Sequence, residues 1–308
     1  MPELAQLERF LNTEKYPGVM REMAKALIIN DKSTPGIFVK ETDLARCGWH
    51  GKPAQLPDAE LKIHMFGTGD RENGLFITGA RMIIVRGAFK DDISFVENSK
   101  ENGAIEGIYG EVNHLYDEWE QNHPGEPIPY RRRRLILFYL VDSKGAPLHS
   151  KPLVLAIHGG AAKEFCTNYA TYIEQAESVF AKVTGQKSAQ GFNEKMCASL
   201  IWSPTFGSMM YGESRKSPIA YPESWVEPTV SNLTTLWPKK DEDIDHYEEV
   251  WDTCTPQVYA SKYFKQCEKE IGFHALKPGV DIANCTLPAA DNSLGARDAT
   301  GAIAGGLK

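Results

Sequence analysis

The chain has 308 residues, and its 34 lysines and arginines against 41 aspartates and glutamates give a formal net charge of -7. With 42% hydrophobic and 24% charged residues it can bury a sizeable core, which excludes wholesale disorder and collagen-like or coiled-coil repeats. The excess of acid also argues against a globally basic, histone-like binder of nucleic acid.

The first ten residues, Met1–Phe10 (MPELAQLERF), lack the basic and apolar regions of a signal peptide. The longest apolar run, Leu135–Val141 (LILFYLV), falls far short of the roughly 20 residues a membrane helix requires. The six cysteines, Cys47, Cys166, Cys197, Cys254, Cys267 and Cys285, form no C-x-x-C pair. Together these features place the chain in a reducing, cytoplasmic setting without a membrane, its cysteines serving as small core residues.

In chain order, residues 1–25 carry Leu4, Leu7, Phe10 and Leu11 at helical spacing up to Pro17 and Gly18, which predicts an N-terminal helical extension. From Ala26 short extended runs follow between turn residues: Ala26–Ile29, Gly36–Val39, Leu61–Phe66, Gly74–Thr78 and Met82–Val85. Thr42 can cap a short helix over Asp43–Cys47, ended by a left-handed Gly48. The segment Ser99–Pro129, rich in Asn, Glu, Gly and Pro, reads as a long surface excursion.

Arg132–Val141 and Pro152–His158 are predicted to form a hairpin of two central strands, with turn chemistry at Asp142-Ser143-Lys144-Gly145. A helix then follows Gly159 and Gly160, with Phe165, Tyr169, Tyr172, Ile173, Ala176, Val179, Phe180 and Val183 on one stripe, and stops at Gly185. Ala198–Ser203 reads as a further strand, whereas the three prolines of Ser214–Pro228 argue for an irregular path. Asp241–Asp252 fits an acidic helix that buries Ile244, Tyr247, Val250 and Trp251, and Thr255–Ile271 fits a second helix. A tail of small residues closes the sequence.

The expected fold is therefore α+β: an antiparallel, barrel-like sheet in the first half, a covering helix, and a mixed helical C-terminal region. The divisions are a helical extension at 1–25, a β-rich domain with its packing helix at 26–185, a mixed region at 186–278 and the tail at 279–308.

Several motifs invite chemistry. Pro152–Gly160 (PLVLAIHGG) has the form of an oxyanion-loop strand, but no G-x-S-x-G pentad accompanies it, so a plain strand-to-helix turn is the better reading and no catalytic residue is assigned. Gly67-Thr68-Gly69 neither opens a helix nor precedes Gly-Lys-Ser/Thr, so it reads as a hairpin turn and no nucleotide cofactor is expected. Cys47 with His50, and Cys267 with His274, are single pairs where a structural zinc needs four ligands, so no metal is expected.

The arginine run carries most weight. Arg131, Arg132, Arg133 and Arg134 open a strand flanked by Tyr130, Phe138 and Tyr139, and Arg81, Arg86 and Lys90 flank another. A sheet face with arginines and an aromatic neutralises phosphate and stacks bases, which points to single-stranded nucleic acid held by Arg131–Arg134, Tyr139, Arg81, Arg86 and Lys90. Against it stands pairing of the arginines with the acidic stretch Glu111–Glu126 and burial of Phe138 and Tyr139.

The succession Gly36-Ile-Phe-Val39, Cys47-Gly-Trp49, Glu72–Val85 (ENGLFITGARMIIV) and Leu137–His149 (LFYLVDSKGAPLH) resembles an uncharacterised, mainly cyanobacterial family defined by a domain of unknown function, over roughly residues 25–270. The resemblance brings no catalytic residues and implies no activity.

Three functional expectations follow. The first is a non-enzymatic protein that binds single-stranded DNA or RNA through the basic and aromatic sheet surface. The second is a structural or self-assembling homo-oligomer, its arginines meeting acidic surfaces such as 241–252 on a neighbour. The third is a hydrolase-like enzyme built around His158.

Overall fold

The computed structural model describes residues 23–67, 69–89, 94–98, 105–108, 119–127, 130–185, 191–212 and 216–254. In chain order its strands are β1 (Ala24–Ile29), β2 (Gly36–Lys40), β3 (Asp58–Met65), β4 (Arg71–Gly79), β5 (Met82–Arg86), β6 (Ser94–Asn98), β7 (Ile105–Ile108), β8 (Tyr130–Leu140), β9 (Leu153–His158), β10 (Ile201–Trp202), β11 (Pro204–Tyr211) and β12 (Ser217–Trp225). The helices are α1 (Glu41–Cys47), α2 (Gly159–Thr184), α3 (Glu194–Cys197) and α4 (Asp241–Thr253).

The strands form one sheet along the path β10-β5-β8-β9-β1-β2-β4-β11-β12, with β3 branching from β4 and β6 from β8. Pairing is antiparallel except between β1 and β9. Ser203 alone separates β10, the first strand of this path, from β11, the eighth. One peptide step spans only about 3.8 Å, so the sheet curls back on itself into a half-barrel. The fold is α+β, and strands on both sides of residue 185 belong to the same sheet.

Both faces of the central strands are covered, which the continuous apolar run of β8 requires. Ile136, Phe138 and Leu140 share a core with Met82 and Ile84 of β5 and with Phe165, Tyr169, Tyr172 and Ala176 of α2. The alternate residues Leu135, Leu137 and Tyr139 pack with Ile83, Val85 and with Tyr247 and Val250 of α4. The α2 stripe from Phe165 to Ala176 and its stop agree with the sequence reading, with Gly185 capping the helix at φ 69, whereas Val183, expected on the stripe, is exposed. Gly48 likewise closes α1 at φ 68, with its N–H turned back to the Ala45 carbonyl. The expected cap at Thr42 is displaced; α1 begins at Glu41 and has no side-chain cap.

Two segments read as irregular contain strands. Ser217–Trp225 is β12, paired with β11 through most of its length despite Pro218 and Pro222. The prolines are tolerated because β12 ends the sheet path, where a missing N–H interrupts no second ladder. Within the excursion at 99–129, β7 pairs with β6, which continues onto β8. The predicted N-terminal helix, the helix at Thr255–Ile271 and the tail lie outside the described residues. Among the described residues no helix is long and apolar enough to cross a membrane.

Candidate functional site

Of the residues expected to hold nucleic acid, those whose side chains are described make contacts within the fold. Tyr139 has no solvent exposure and lies between the rings of His149, at 5.0 Å, and Tyr247, at 5.3 Å. The Arg86 guanidinium lies 3.3 Å from the centre of the Trp251 ring and donates to the Trp251 carbonyl at 2.8 Å. Arg134 donates to the Phe89 carbonyl at 2.7 Å, which ties the end of β5 to β8. Arg81 lies half-buried and reaches the Gln55 carbonyl at 3.5 Å.

The backbone of β8 places Arg131 opposite Glu97 and Arg133 between Phe95 and His158. The side chains of Arg131, Arg132 and Arg133, and the whole of Lys90, lie outside the described residues. Tyr139 and Arg86 are thus committed to intramolecular packing, and no base-stacking surface is formed by the described part of the set.

The other motifs resolve as structural features. His158 ends β9 and precedes α2 in extended conformation. A Cβ at Gly160 would collide with the Tyr211 ring, so this glycine lets strand β11 approach the start of α2, while Gly159, at φ 57, faces open space. The Gly67–Gly69 turn closes the β3–β4 hairpin: Gly69 N–H donates to the Phe66 carbonyl at 2.8 Å. Cys47 is fully buried, its thiol directed to the Leu44 carbonyl and pushed up to about 11 by burial. Among the described residues no three His, Cys, Asp or Glu side chains gather to hold a metal ion.

A different surface stands out. Strand β3 (DAELKIHM) is paired along one edge with β4, from Asp58 opposite Gly79 to Met65 opposite Arg71, and with no other strand among the described residues. Its alternation is inverted. Leu61, Ile63 and Met65 share one face and are 63%, 65% and 64% exposed, while Lys62 and His64 point to the partly buried side.

The cause is an aromatic cluster on that other side. Phe38 of β2, Phe76 of β4 and Phe66 after β3 pack together with Ile29. Lys62 covers Phe76, with its ammonium 3.7 Å from the ring centre, and pairs with Glu60 at 2.8 Å. His64 stands 4.7 Å from the Phe66 ring and 5.2 Å from Phe38. Burial, then the Lys62 charge, lowers its pKa, so its neutral form roofs the cluster.

On the opposite side an open groove of about 520 Å³ runs between β3 and α1. Leu44 and Trp49 form one wall, Leu61 and Ile63 the other, and Gly74 and Asn73 belong to its lining. The Trp49 wall is fixed from behind. His149 is fully buried, its ring 6.2 Å from Trp49 and 5.0 Å from Tyr139. Its Nε2 accepts the Leu140 N–H at 2.9 Å, so Nδ1 carries the proton and donates to the Lys151 carbonyl at 2.6 Å. Burial holds this imidazole down to about 4, against the opposing effect of the Lys151 contact. The Trp49 segment is further tied by His50 N–H to the Leu148 carbonyl at 3.0 Å.

The sequence marked β3 as a strand, since alternation alone identifies one. Which face is turned out depends on Phe38, 20 residues upstream of its first residue, and no local pattern reports that.

Residues 22–268 match the family described as Domain of unknown function (DUF5895), so the chain belongs to that family. No curated protein and no solved structure matches the chain.

Proposed function

We propose that this member of the DUF5895 family is a non-enzymatic interaction protein that binds an extended polypeptide segment along the open edge of β3. The observation that carries the reading is the outward face of β3: three large apolar side chains in alternate positions, each nearly two-thirds exposed, beside an edge with no ladder partner among the described residues. Soluble proteins usually blunt such an edge with charge, proline or a bulge. An added strand would supply backbone hydrogen bonds along β3, and its alternate side chains would meet Leu61 and Ile63 and reach the groove toward Leu44 and Trp49. The setting is cytoplasmic, in keeping with the absence of C-x-x-C pairs.

The test is a displayed library of short random peptides panned on the wild-type protein and counter-panned on a Leu61→Lys, Ile63→Lys variant. Enrichment of peptides with alternating apolar residues, lost on the variant, is the expected result. Equal recovery on both proteins refutes the reading.

A second reading keeps single-stranded nucleic acid as the ligand of Arg131–Arg134. It is favoured by the placement of four consecutive arginines on one end of β8, and it must do without Tyr139 and Arg86. Fluorescence anisotropy with labelled single- and double-stranded oligonucleotides at two salt concentrations tests it. Salt-sensitive binding lost on replacing the four arginines with Gln supports it, and no binding at low salt refutes it.

A further inference from the structure

Resting on the strand-docking reading, we infer that the segment received by β3 is β3 of a second copy of this chain, in an antiparallel pair whose two-fold axis passes through Leu61.

The inference comes from the order of side chains along the strand. A two-fold antiparallel pair sets one residue opposite its own copy and every other residue opposite its mirror position about that point. With Leu61 at the centre, Glu60 faces Lys62 of the copy, Lys62 faces Glu60, Asp58 faces His64, and Ala59 faces Ile63. Glu60 and Lys62 then meet the opposite charge, Asp58 meets the His64 imidazole, and Ala59, Leu61 and Ile63 meet apolar residues.

Neighbouring registers fail this condition. A centre at Glu60 sets two carboxylates face to face, and a centre at Lys62 does the same with two ammoniums. A centre at Ala59 opposes Glu60 to Asp58, and one at Ile63 leaves Glu60 opposite Phe66 and Lys62 opposite the neutral His64 ring. Like charges directly opposite are destabilising and an unmatched charge gains nothing, so the charge order favours one register.

The structure presents these groups on the correct sides. Asp58, Glu60, Lys62 and His64 occupy one face of β3 in alternation with the exposed Leu61 and Ile63. Glu60 and Lys62 already pair within the chain at 2.8 Å. Across the two-fold axis the two such pairs form a four-charge array of alternating sign, while Leu61 packs on Leu61 of the copy. A small residue, Ala59, stands where the bulk of Ile63 arrives. An isologous interface must be self-complementary in this way, and an unrelated peptide would have no reason to match the charge order of β3.

The experiment is sedimentation velocity on the full chain over about 1 to 100 µM, with wild type, Glu60→Lys, Lys62→Glu, and an equimolar mixture of the two variants. Each variant opposes like charges in its own homodimer, and the mixture restores unlike pairs at both positions. The expected result is a wild-type monomer–dimer equilibrium, weakened about tenfold in each variant alone and recovered in the mixture. Thermal melts establish that both variants are folded. Should Lys62→Glu fail to fold without its contact to Phe76, Leu61→Lys gives the same test, since it sets two ammoniums on the axis at an exposed position.

A chain that stays monomeric throughout, or a dimer unchanged in Glu60→Lys and Leu61→Lys, overturns the assignment. Monomers that still enrich alternating apolar peptides on β3 overturn only the second copy as occupant, whereas loss of both dimer and peptide binding removes the docking reading as well.

Discussion

His149 makes stability depend on acid in a way that can be isolated. Its ring is fully buried between Trp49 and Tyr139, with both nitrogens committed to backbone partners, and its native pKa is held at about 4 against 6.5 for a free imidazole. Each pH unit by which a native pKa lies below the unfolded value corresponds to about 1.4 kcal/mol, so this residue is associated with about 3 kcal/mol in all. The sign follows from proton counting. Between pH 6.5 and about 4 the unfolded chain binds a proton that the native chain does not, so acid favours unfolding throughout that interval. Above it the native state is unaffected, and below it both forms are protonated and the loss is complete.

The assay is urea unfolding at about pH 7 and about pH 4.5, wild type against His149→Gln. The variant should lose about 1–3 kcal/mol at neutral pH, because one of its two backbone contacts is no longer made. Its further loss on acidification to this pH should be smaller than wild type's by about 2.4 kcal/mol. Carboxylates and His64 titrate in both proteins and cancel in the comparison. Equal acid losses in the two proteins refute the assignment of the buried neutral imidazole.

Other expectations concern the surroundings of β3 and the core. Leu61→Lys with Ile63→Lys should leave monomer stability within about 0.5 kcal/mol per substitution, because both side chains are exposed; a urea titration in which either behaves as a core residue contradicts the inverted face. Phe76→Ala, which removes the ring beneath Lys62, should cost about 3–5 kcal/mol by the same measurement. Gly160→Ala should destabilise by about 1–3 kcal/mol through collision with Tyr211, and Tyr211→Ala should relieve that increment in the double variant. Cys47 and Cys197, with thiols pushed by burial to about 11 and about 12, should escape maleimide labelling at neutral pH until the protein unfolds, as read by peptide mass mapping.

Much of the scaffold can be read from local pattern. The α2 stripe, its Gly185 stop, the β3–β4 turn and the β8–β9 pairing all rest on contacts or conformations that sequence spacing encodes directly. The misplaced parts depend on distant neighbours. Prolines argued against β12, yet its position at the end of the sheet path makes them harmless. Tyr139 and Phe138 were indistinguishable as candidates for an open aromatic face, because an all-apolar strand gives no alternation. Only the packing of α4 from one side and α2 from the other shows that neither face is open.

The candidate site was legible as a strand and not as a surface. Its apolar residues at 61, 63 and 65 carry the same period that would bury them, and an aromatic cluster contributed from β2 and β4 reverses the outcome by taking Lys62 and His64 as its cover. His149 was equally silent: a histidine after a turn looks ordinary until the Leu140 N–H is found to end on its ring.

The most direct test of the docking account is amide hydrogen exchange across Asp58–Met65 in dilute and in concentrated protein. The account predicts that the amides of β3 not bonded to β4 exchange freely in dilute solution and become protected as concentration rises, with the β4 ladder unchanged. Identical exchange of β3 at every concentration would contradict it.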